Sequence, residues 1–447
     1  MSKEFPRLLI PSILALMGAG FFSMAYFVPR EDFWLMLSLF SVLFAGMLAV
    51  YFLHKGSKWG WIFIVGLLIR LSLLVAIPKW SDDYARFLWD GELLKMGENP
   101  YSETPSQWLS KHPETANPYL ENLYELMNSP SYFSVYPPLN QGIFYISAKV
   151  GDLGLKRGVL VLRLILILGE IGVFVLLLKL FGRFQLPVQS LILYWFNPLV
   201  IMEITGNLHF EGLVLLFLLG SLHALSKKRY SLAGGAWGLS IGMKLLPLML
   251  VPAFFSFDKI RKSPPFWIGS AFALVLGFVW LLIDESWFQF LQSLKLYQGK
   301  FEFNASIYYL LREVGFWMKG YNIIGELTPV LSGITFMGIL YFSWKRKPQN
   351  LLQLIDLWVM IYLFYLVLQP VVHPWYLIPA FGLSLFTDKK AFLIWTFAVV
   401  FSYQAYGDPN YQERPVFLFI EYTFLLLAVY WDYFSKAPKS ILHTHEL

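Results

Sequence analysis

The sequence contains no cysteine and few charged residues, and both shortages limit what the protein can be. Without cysteine there is no disulfide framework and no cysteine metal site. Only 14% of the 447 residues are Asp, Glu, Lys or Arg, whereas a soluble domain carries about 25%. Hydrophobic residues make up 57% of the chain. Because a soluble domain of this size needs more charge on its surface, we predict an integral membrane protein.

Apolar runs long enough to cross hydrocarbon alternate with short clusters of charge along the chain. We therefore predict an all-α polytopic fold, with residues 1–447 forming a single transmembrane domain of about 14 spans (12–14). The predicted spans lie near residues 8–28, 33–53, 60–78, 158–180, 187–204, 209–226, 231–243, 245–257, 266–284, 321–344, 352–371, 374–387, 390–406 and 414–433.

Lys and Arg are concentrated in alternate short connections between these spans. The connections include Lys3, Lys55, Lys179, Arg183, Lys227, Arg229, Lys259, Lys262, Lys345, Lys347, Lys389, Lys390 and Lys436. By the positive-inside rule these connections and both termini are cytoplasmic. The same bias accounts for the net charge of +6 without a nucleic-acid partner.

Two long connections, 79–158 and 285–320, then lie on the non-cytoplasmic side. Both contain apolar stretches too short to span, such as Leu139–Val150, which we predict as helices lying in the outer membrane interface. Most of the non-basic polar residues fall on this side. Such a lopsided distribution favours a functional site there, and simple solvated loops are the alternative.

The first long connection begins with two adjacent carboxylates, Asp82 and Asp83, a few residues after a predicted span. Adjacent carboxylates repel, which raises the pKa of one of them and suits it to accept a proton. The alternative is that Ser81 or Asp82 caps a helix. For Asp82 both interpretations stay open, and for Asp83 catalysis is favoured. In such a helix Asp83, Arg86 and Asp90 would share one face.

Other polar residues lie at the predicted outer ends of helices: Tyr136, Gln141, Asn207, His209, Glu211, Asn304, His373 and Tyr376. The two prolines after Tyr136 are best explained by a structural role at a helix start. The turn from Glu203 to Glu211 combines carboxylates with an imidazole, which could bind sugar hydroxyls or a metal. Its spacing matches no specific metal motif, and a polar turn at the lipid headgroups is the alternative.

Lys244 stands between two half-length apolar runs, where the charge rule gives it no cytoplasmic position. Charged residues inside membrane segments are costly and are usually functional. Its ammonium could hold an anion such as a lipid phosphate, and the alternative is a lysine that snorkels to the headgroups.

Several of these segments occur in a set order between about residues 60 and 380: Ser81–Asp83 with Arg86, Trp89–Gly91, Gly97–Tyr101, Tyr136–Pro138 with Gln141, Gly206–Glu211, Met243–Lys244 and His373–Tyr376. The ordered set resembles the GT-C superfamily of membrane glycosyltransferases. The likeness is greatest to the bacterial branch that uses polyprenyl-phosphate-linked mannose, including α-1,6-mannosyltransferases. The Gly206–Glu211 turn departs from the family's usual Gly-His-Asn-Asp type, and the chain has more spans before its first long loop.

The resemblance implies that the protein is an inverting hexosyltransferase, with mannose the expected sugar and polyprenyl phosphate the expected carrier. The acceptor would be lipid-linked or a glycan, and the site would face the periplasm from the bacterial inner membrane. Asp83 or Asp82 would be the general base, while Lys244, Arg86 and His373 would stabilise the departing phosphate. The other candidates, Asp90, Tyr136, Gln141, Asn207, His209, Glu211, Asn304 and Tyr376, would contact substrate. No metal is assigned, and a divalent cation requirement stays open.

Two other functions compete with this interpretation. A ligase of lipid-linked glycans would have a similar topology but would depend on basic and His residues rather than an acidic base. A transporter or flippase of lipid-linked sugars would have charged residues along a central path and internal pseudo-symmetry, and no repeat is evident in the sequence.

Overall fold

The computed structural model describes residues 5–54, 56, 58–152, 154–283 and 286–435. Within these residues the chain is helical and has no β-strand, and its one extended pairing is a parallel bridge between Phe303 and Val371. The predicted all-α class is therefore confirmed. Lys3, Lys55, Lys436 and the start of the second long connection at Glu285 lie outside the described residues.

The first part of the chain forms three apolar helices followed by four helices of the first long connection. The apolar helices are α1 (Phe5–Phe27), α2 (Phe33–Leu53) and α3 (Gly60–Ser72), and the first long connection contains α4 (Asp83–Lys95), α5 (Pro105–Lys111), α6 (Pro118–Leu126) and α7 (Pro138–Gly151). Local sequence explains these starts, because Thr104 and Gln107 form a reciprocal capping box and Asn117 caps α6. Pro138 is the first residue of α7, as its fixed φ favours.

The middle of the chain contains one long helix and a series of short ones. They are α8 (Leu155–Phe184), α9 (Leu191–Trp195), α10 (Pro198–Val200), a π-helical segment (Ile201–Gly206), α11 (Glu211–Ser226), α12 (Tyr230–Met243), a 3-10 turn (Leu246–Leu250), α13 (Val251–Ser256) and α14 (Asp258–Arg261).

The last part begins with a long helix and contains the second long connection. It comprises α15 (Pro264–Ile283), α16 (Trp287–Lys300), α17 (Ile307–Lys319), α18 (Ile324–Arg346), α19 (Leu351–Leu368), a 3-10 turn (Pro374–Leu377), α20 (Ile378–Ser384), α21 (Ala391–Ala398), a 3-10 segment (Val399–Gly407) and α22 (Pro415–Phe434).

Seven helices in the described part of the chain are long and apolar enough to cross a membrane. They are Leu9–Phe27, Phe33–Leu53, Leu155–Phe184, Pro264–Leu282, Ile324–Arg346, Leu351–Leu368 and Pro415–Phe434. The bent pair Val188–Trp195 and Pro198–Gly206 makes an eighth if it is counted as one span. These helices make the chain a membrane protein, but they do not confirm the predicted total of about 14 spans.

The remaining predicted spans are helical but short or broken. Helix α3 has 13 residues, α11 has 16 and α12 has 14, whereas a straight span needs about 20. The predicted spans 245–257, 374–387 and 390–406 each divide into a 3-10 segment and a short α-helix. A short apolar run predicts burial, but it cannot distinguish a span from a helix packed inside the protein.

Candidate active site

Asp82 and Asp83 are adjacent in sequence but have different partners. The Ser81 hydroxyl accepts a hydrogen bond from the Asp83 amide at 3.3 Å, while Asp82 makes no side-chain capping bond. Asp82 instead forms an ion pair with Arg30, in which Oδ2 lies 2.8 Å from the Arg30 Nη1. The capping role therefore belongs to Ser81, and Asp82 is held by a cation from the connection between α1 and α2.

Asp83 faces an imidazole that lies between two carboxylates. Its Oδ2 is 3.7 Å from His209 Nε2, and its Oδ1 accepts a hydrogen bond from the Asn128 amide at 3.4 Å. On the other side of the ring, His209 Nδ1 lies 2.8 Å from Glu203 Oε2. The Asp83 side chain is 25% exposed, whereas those of His209 and Glu203 are buried. A substrate hydroxyl can therefore reach Asp83.

The charges in this group set its protonation. Burial pushes the pKa of the Asp83 carboxyl upward, but the nearby charge of the His209 ring outweighs burial and brings the pKa below its usual value. Burial lowers the pKa of His209, but its contacts with the Asp83 and Glu203 carboxylates outweigh burial and raise the pKa to about 9. For Asp82, burial raises the pKa against the pull of Arg30. At neutral pH Asp83 is therefore an anion beside an imidazolium.

Stacked aromatic rings form one wall of the site. The His209 ring lies on Trp375 with centroids 3.6 Å apart, and Trp375 lies on His373 with centroids 4.5 Å apart. Phe303 continues this series at 5.0 Å from His373. Burial lowers the pKa of His373 to about 3 against the opposing charge of Asp83, with Lys244 and His209 adding to the decrease. His373 is therefore neutral and can donate a hydrogen bond.

Lys244 brings a second cation to the same region. It follows the last residue of α12 in an extended conformation, which turns its side chain away from the helical path. Its ammonium pairs with Glu211 and lies 4.2 Å from the centre of the Tyr376 ring. The Lys244 side chain is 34% exposed and Glu211 is buried. This cation is therefore accessible to an anionic ligand.

The first part of the sequence, residues 11–257, identifies the family. The family model described as "Alpha-(1->6)-mannopyranosyltransferase, N-terminal domain" matches residues 11–257, which is more than half of the 447 residues. The chain belongs to this family. It is a mannosyltransferase, and its reaction requires a sugar donor and a glycan acceptor. No curated protein matches the chain.

The match includes Asp83, His209 and Lys244, but Asn304 and the His373–Tyr376 segment lie beyond it.

Four parts of the mannosyltransferase meet at one place: the start of α4, the turn before α11, the end of α12 and the turn after α19. The structure brings together seven of the predicted site residues there, namely Asp83, Asn207, His209, Glu211, Lys244, His373 and Tyr376.

Arg86, Asp90 and Gln141 lie beside this group but are joined to one another. Arg86 donates to Asp90 Oδ1 at 2.7 Å and to the carbonyl of Tyr132 at 2.8 Å, while Gln141 donates to Asp90 Oδ2 at 2.9 Å. All three side chains are buried. The network holds the segment that carries Asn128 against α4, so we interpret these residues as supports of the site.

Tyr136 and Asn304 also position neighbouring segments. The Tyr136 carbonyl accepts a hydrogen bond from the Tyr101 hydroxyl at 2.5 Å. Asn304 is buried, and its amide side chain donates to Glu421 at 2.9 Å and to the Val372 carbonyl at 3.4 Å. Asn304 thereby fixes the second long connection next to His373.

The irregular turn that carries Glu203 and His209 is stabilised by a buried arginine. Arg163 donates to the carbonyls of Thr205 at 2.6 Å and Gly206 at 3.1 Å. Those carbonyls belong to the π-helical segment, a type of irregularity that is frequent at functional sites. Leu208 then adopts a left-handed φ of 67°, which is unusual for a bulky residue. This strained turn places the two side chains next to each other.

Sequence reasoning missed three contributors to the site. Asn128 contacts Asp83 from 45 residues away, and Tyr403 donates to Glu203 from 200 residues away. No local pattern could have paired them. Trp375 lies inside the His373–Tyr376 segment, and its position two residues after His373 is the signal that could have identified it. In the described residues, no group of three or more His, Cys, Asp or Glu side chains could hold a metal ion.

Proposed function

We propose that the mannosyltransferase moves a mannosyl group from a polyprenyl-phosphate-linked donor to a lipid-linked or glycan acceptor. We further propose that this occurs at the outer face of a bacterial inner membrane, with both termini in the cytoplasm. The observation that carries the proposal is the accessible Asp83 carboxylate beside His209, with the Lys244 cation in the same cluster.

The reaction is a displacement in which Asp83 is the general base. The oxygen of an acceptor hydroxyl attacks the anomeric carbon of the mannosyl group, and its proton moves to the Asp83 carboxylate. The bond from the anomeric carbon to the phosphate oxygen breaks, and its electron pair leaves with the polyprenyl phosphate. Attack from the face opposite the leaving group inverts the anomeric configuration.

The ionisation of Asp83 supports its role as base. A base must be unprotonated when the acceptor binds, and His209 lowers the pKa of Asp83 so that it stays an anion at neutral pH. A carboxylate of low pKa is a weak base in the ground state. It can still accept the proton in the transition state, because the attacking hydroxyl becomes more acidic as its bond to carbon forms.

The departing phosphate requires cations and hydrogen-bond donors that strengthen as negative charge develops. Lys244 is the accessible cation in this group, and a neutral His373 would donate a hydrogen bond. Glu211 already neutralises Lys244, so a bound phosphate would share the ammonium with that carboxylate. The Tyr376 ring faces the Lys244 ammonium and would restrict the movement of that ammonium.

The test is transfer by the purified protein from two labelled donors, polyprenyl-phosphate-mannose and a nucleoside-diphosphate mannose, to a mannan-type acceptor. We expect transfer from the polyprenyl donor alone, and a product anomer opposite to that of the donor by NMR. Transfer from the nucleotide donor, or retention of configuration, would contradict the proposal.

A further inference from the structure

Glu203 is a buried carboxylate that the proposed reaction does not use. It lies in the π-helical segment and is 1% exposed. One of its oxygens accepts hydrogen bonds from Tyr403 and from Asn207, the latter at 3.1 Å. The other oxygen is the one 2.8 Å from His209 Nδ1. Two donors therefore orient the carboxylate so that its second oxygen faces the imidazole.

The imidazole of His209 faces charged or titratable groups from four parts of the fold. Asp83 of α4 lies at one ring nitrogen and Glu203 at the other. Glu211 at the start of α11 adds a third negative charge, which its ion pair with Lys244 partly offsets. His373, which is neutral, approaches through the stacked rings. The surroundings are therefore anionic, and Glu203 provides the shortest of these contacts.

We propose that Glu203 is a positioning residue that keeps His209 protonated opposite Asp83 throughout mannosyl transfer. The reason lies in the change of charge that the reaction imposes. When Asp83 receives the acceptor's proton it becomes neutral, and His209 loses that anionic partner. Glu203 then remains 2.8 Å away and still stabilises the imidazolium.

The effect of Glu203 on Asp83 rests on the proposed function. Its effect on the charge of His209 does not. If Glu203 becomes neutral, His209 has a weaker hold on its proton and is uncharged in mildly alkaline solution. Asp83 would then lose the cation that opposes its protonation. A purely structural Glu203 would join the π-helical segment to Tyr403 without affecting the charge of His209.

The direct test is the titration of His209 by nitrogen-15 NMR of the purified full-length protein labelled at histidine. The chain has 7 histidines, and loss of one signal in His209→Gln assigns the resonance. We expect both ring nitrogens of His209 to stay protonated to about pH 9 in the wild type. In Glu203→Gln the titration should shift down by at least about one pH unit, since an opposite charge this close shifts a pKa by roughly one to three units.

The matched control is Glu421→Gln, the same change at another fully buried glutamate, which accepts hydrogen bonds from Asn304 and Trp395. It should leave the His209 titration unchanged. A neutral His209 at pH 7.5 in the wild type would overturn the proposal even if Glu203→Gln does not fold. An unshifted titration in folded Glu203→Gln would overturn it as well.

A kinetic measurement then tests the consequence for transfer. The pH profile of kcat should contain an inflection that follows the titration of His209, near pH 9 in the wild type and at least about one unit lower in Glu203→Gln. KM for the donor should stay nearly constant, and Glu203→Asp should move the inflection part of the way back. If His209 titrates as expected while Asp83→Asn is fully active, the proposed function fails and the assignment of Glu203 to the charge of His209 stands.

Discussion

Two neighbouring aspartates show how environment divides the roles of chemically identical residues. Asp82 is paired with Arg30. Moving its carboxylate out of that contact would cost free energy, because the mostly buried guanidinium would lose the Asp82 charge. The contacts of the Asp83 carboxylate are longer, 3.4 Å to Asn128 and 3.7 Å to His209. Asp83 therefore lies near a cation without the close ion pair that holds Asp82. The sequence predicts the pair as candidates for the general base, but it could not reveal the contact of Asp82 with Arg30.

Lys244 provides a residue-scale prediction about the donor phosphate. Replacing Lys244 with Met keeps most of its apolar stem and removes the ammonium. We expect donor affinity to fall about tenfold to a hundredfold, because one charge-assisted contact contributes roughly 1.5–3 kcal/mol. Transfer rate against donor concentration gives the measurement. Lys244→Arg should restore the function only partly, since a planar fork does not reproduce a compact ammonium.

The control for this prediction addresses the ion pair with Glu211. Removing the lysine leaves a buried carboxylate without its cation, which destabilises the fold for reasons unrelated to the donor. The double variant Lys244→Met with Glu211→Gln should recover stability but not donor affinity. Donor affinity that returns in the double variant would show that Lys244 serves the fold and not the phosphate.

Residue types and positions were predictable where the signal was local, and not where it depended on distant parts of the chain. The Asp83, His209, Lys244 and His373 positions follow from polar residues at the ends of apolar runs. Their hydrogen-bond partners do not. The family resemblance implied that Arg86 is a phosphate ligand, and its shared helix face with Asp90 was predictable, but its hydrogen bond to the Tyr132 carbonyl, 46 residues away, was not.

At the scale of elements, the site depends on helices that end early or bend. Lys244 is available because α12 stops at Met243, and Glu203 meets His209 because the chain forms a π-helical segment between α10 and α11. The sequence places a short helix before Lys244, since the apolar run is only half the length of a span. It gives no signal for the π-helical segment, whose stability depends on Arg163 from α8.

Close packing of α12 on α15 supplies a prediction about two adjacent glycines. A Cβ at Gly234 would lie 1.9 Å from the Phe266 carbonyl oxygen, whereas one at Gly235 would lie 3.8 Å from the nearest backbone oxygen. Small residues at such positions allow membrane helices to approach closely. Gly234→Ala should therefore destabilise the protein by about 1–3 kcal/mol or more, and Gly235→Ala should be tolerated.

The measurement is thermal unfolding of the two purified variants in the same detergent, monitored by loss of the monodisperse fraction. Gly234→Ala should unfold at a clearly lower temperature than Gly235→Ala and the wild type. Equal unfolding temperatures for the two variants would mean that α12 and α15 separate at little cost, and that their packing does not fix Lys244.

At the scale of the whole molecule, composition was sufficient to predict a helical membrane protein, and it was insufficient to count its spans. Apolar content marks every predicted span as a buried helix. In the described part of the chain only seven or eight of these helices have the length of a span, because others are interrupted by 3-10 turns or end after three to four turns. Burial against neighbouring helices and burial in lipid select the same residues, so hydropathy alone does not separate them.

Orientation in the membrane is the next prediction, and the absence of cysteine makes it measurable. Glu114→Cys places a thiol in the first long connection, and Lys345→Cys places one near the end of α18, both at exposed positions. We expect an impermeant maleimide to label Glu114→Cys on intact cells and Lys345→Cys only after permeabilisation. The reverse pattern would put the Asp83 site on the cytoplasmic side.

The central claim is that Asp83, and not its neighbour, accepts the proton of the acceptor hydroxyl. Single-turnover transfer from polyprenyl-phosphate-mannose by purified Asp83→Asn and Asp82→Asn tests it most directly. Loss of a general base typically slows a reaction roughly 10²–10⁴-fold, and we predict that loss for Asp83→Asn with donor binding retained. Asp82→Asn should stay within about tenfold of the wild type, since it loses only part of its contact with Arg30 and no contact with substrate. Near-normal transfer by folded Asp83→Asn would contradict the account.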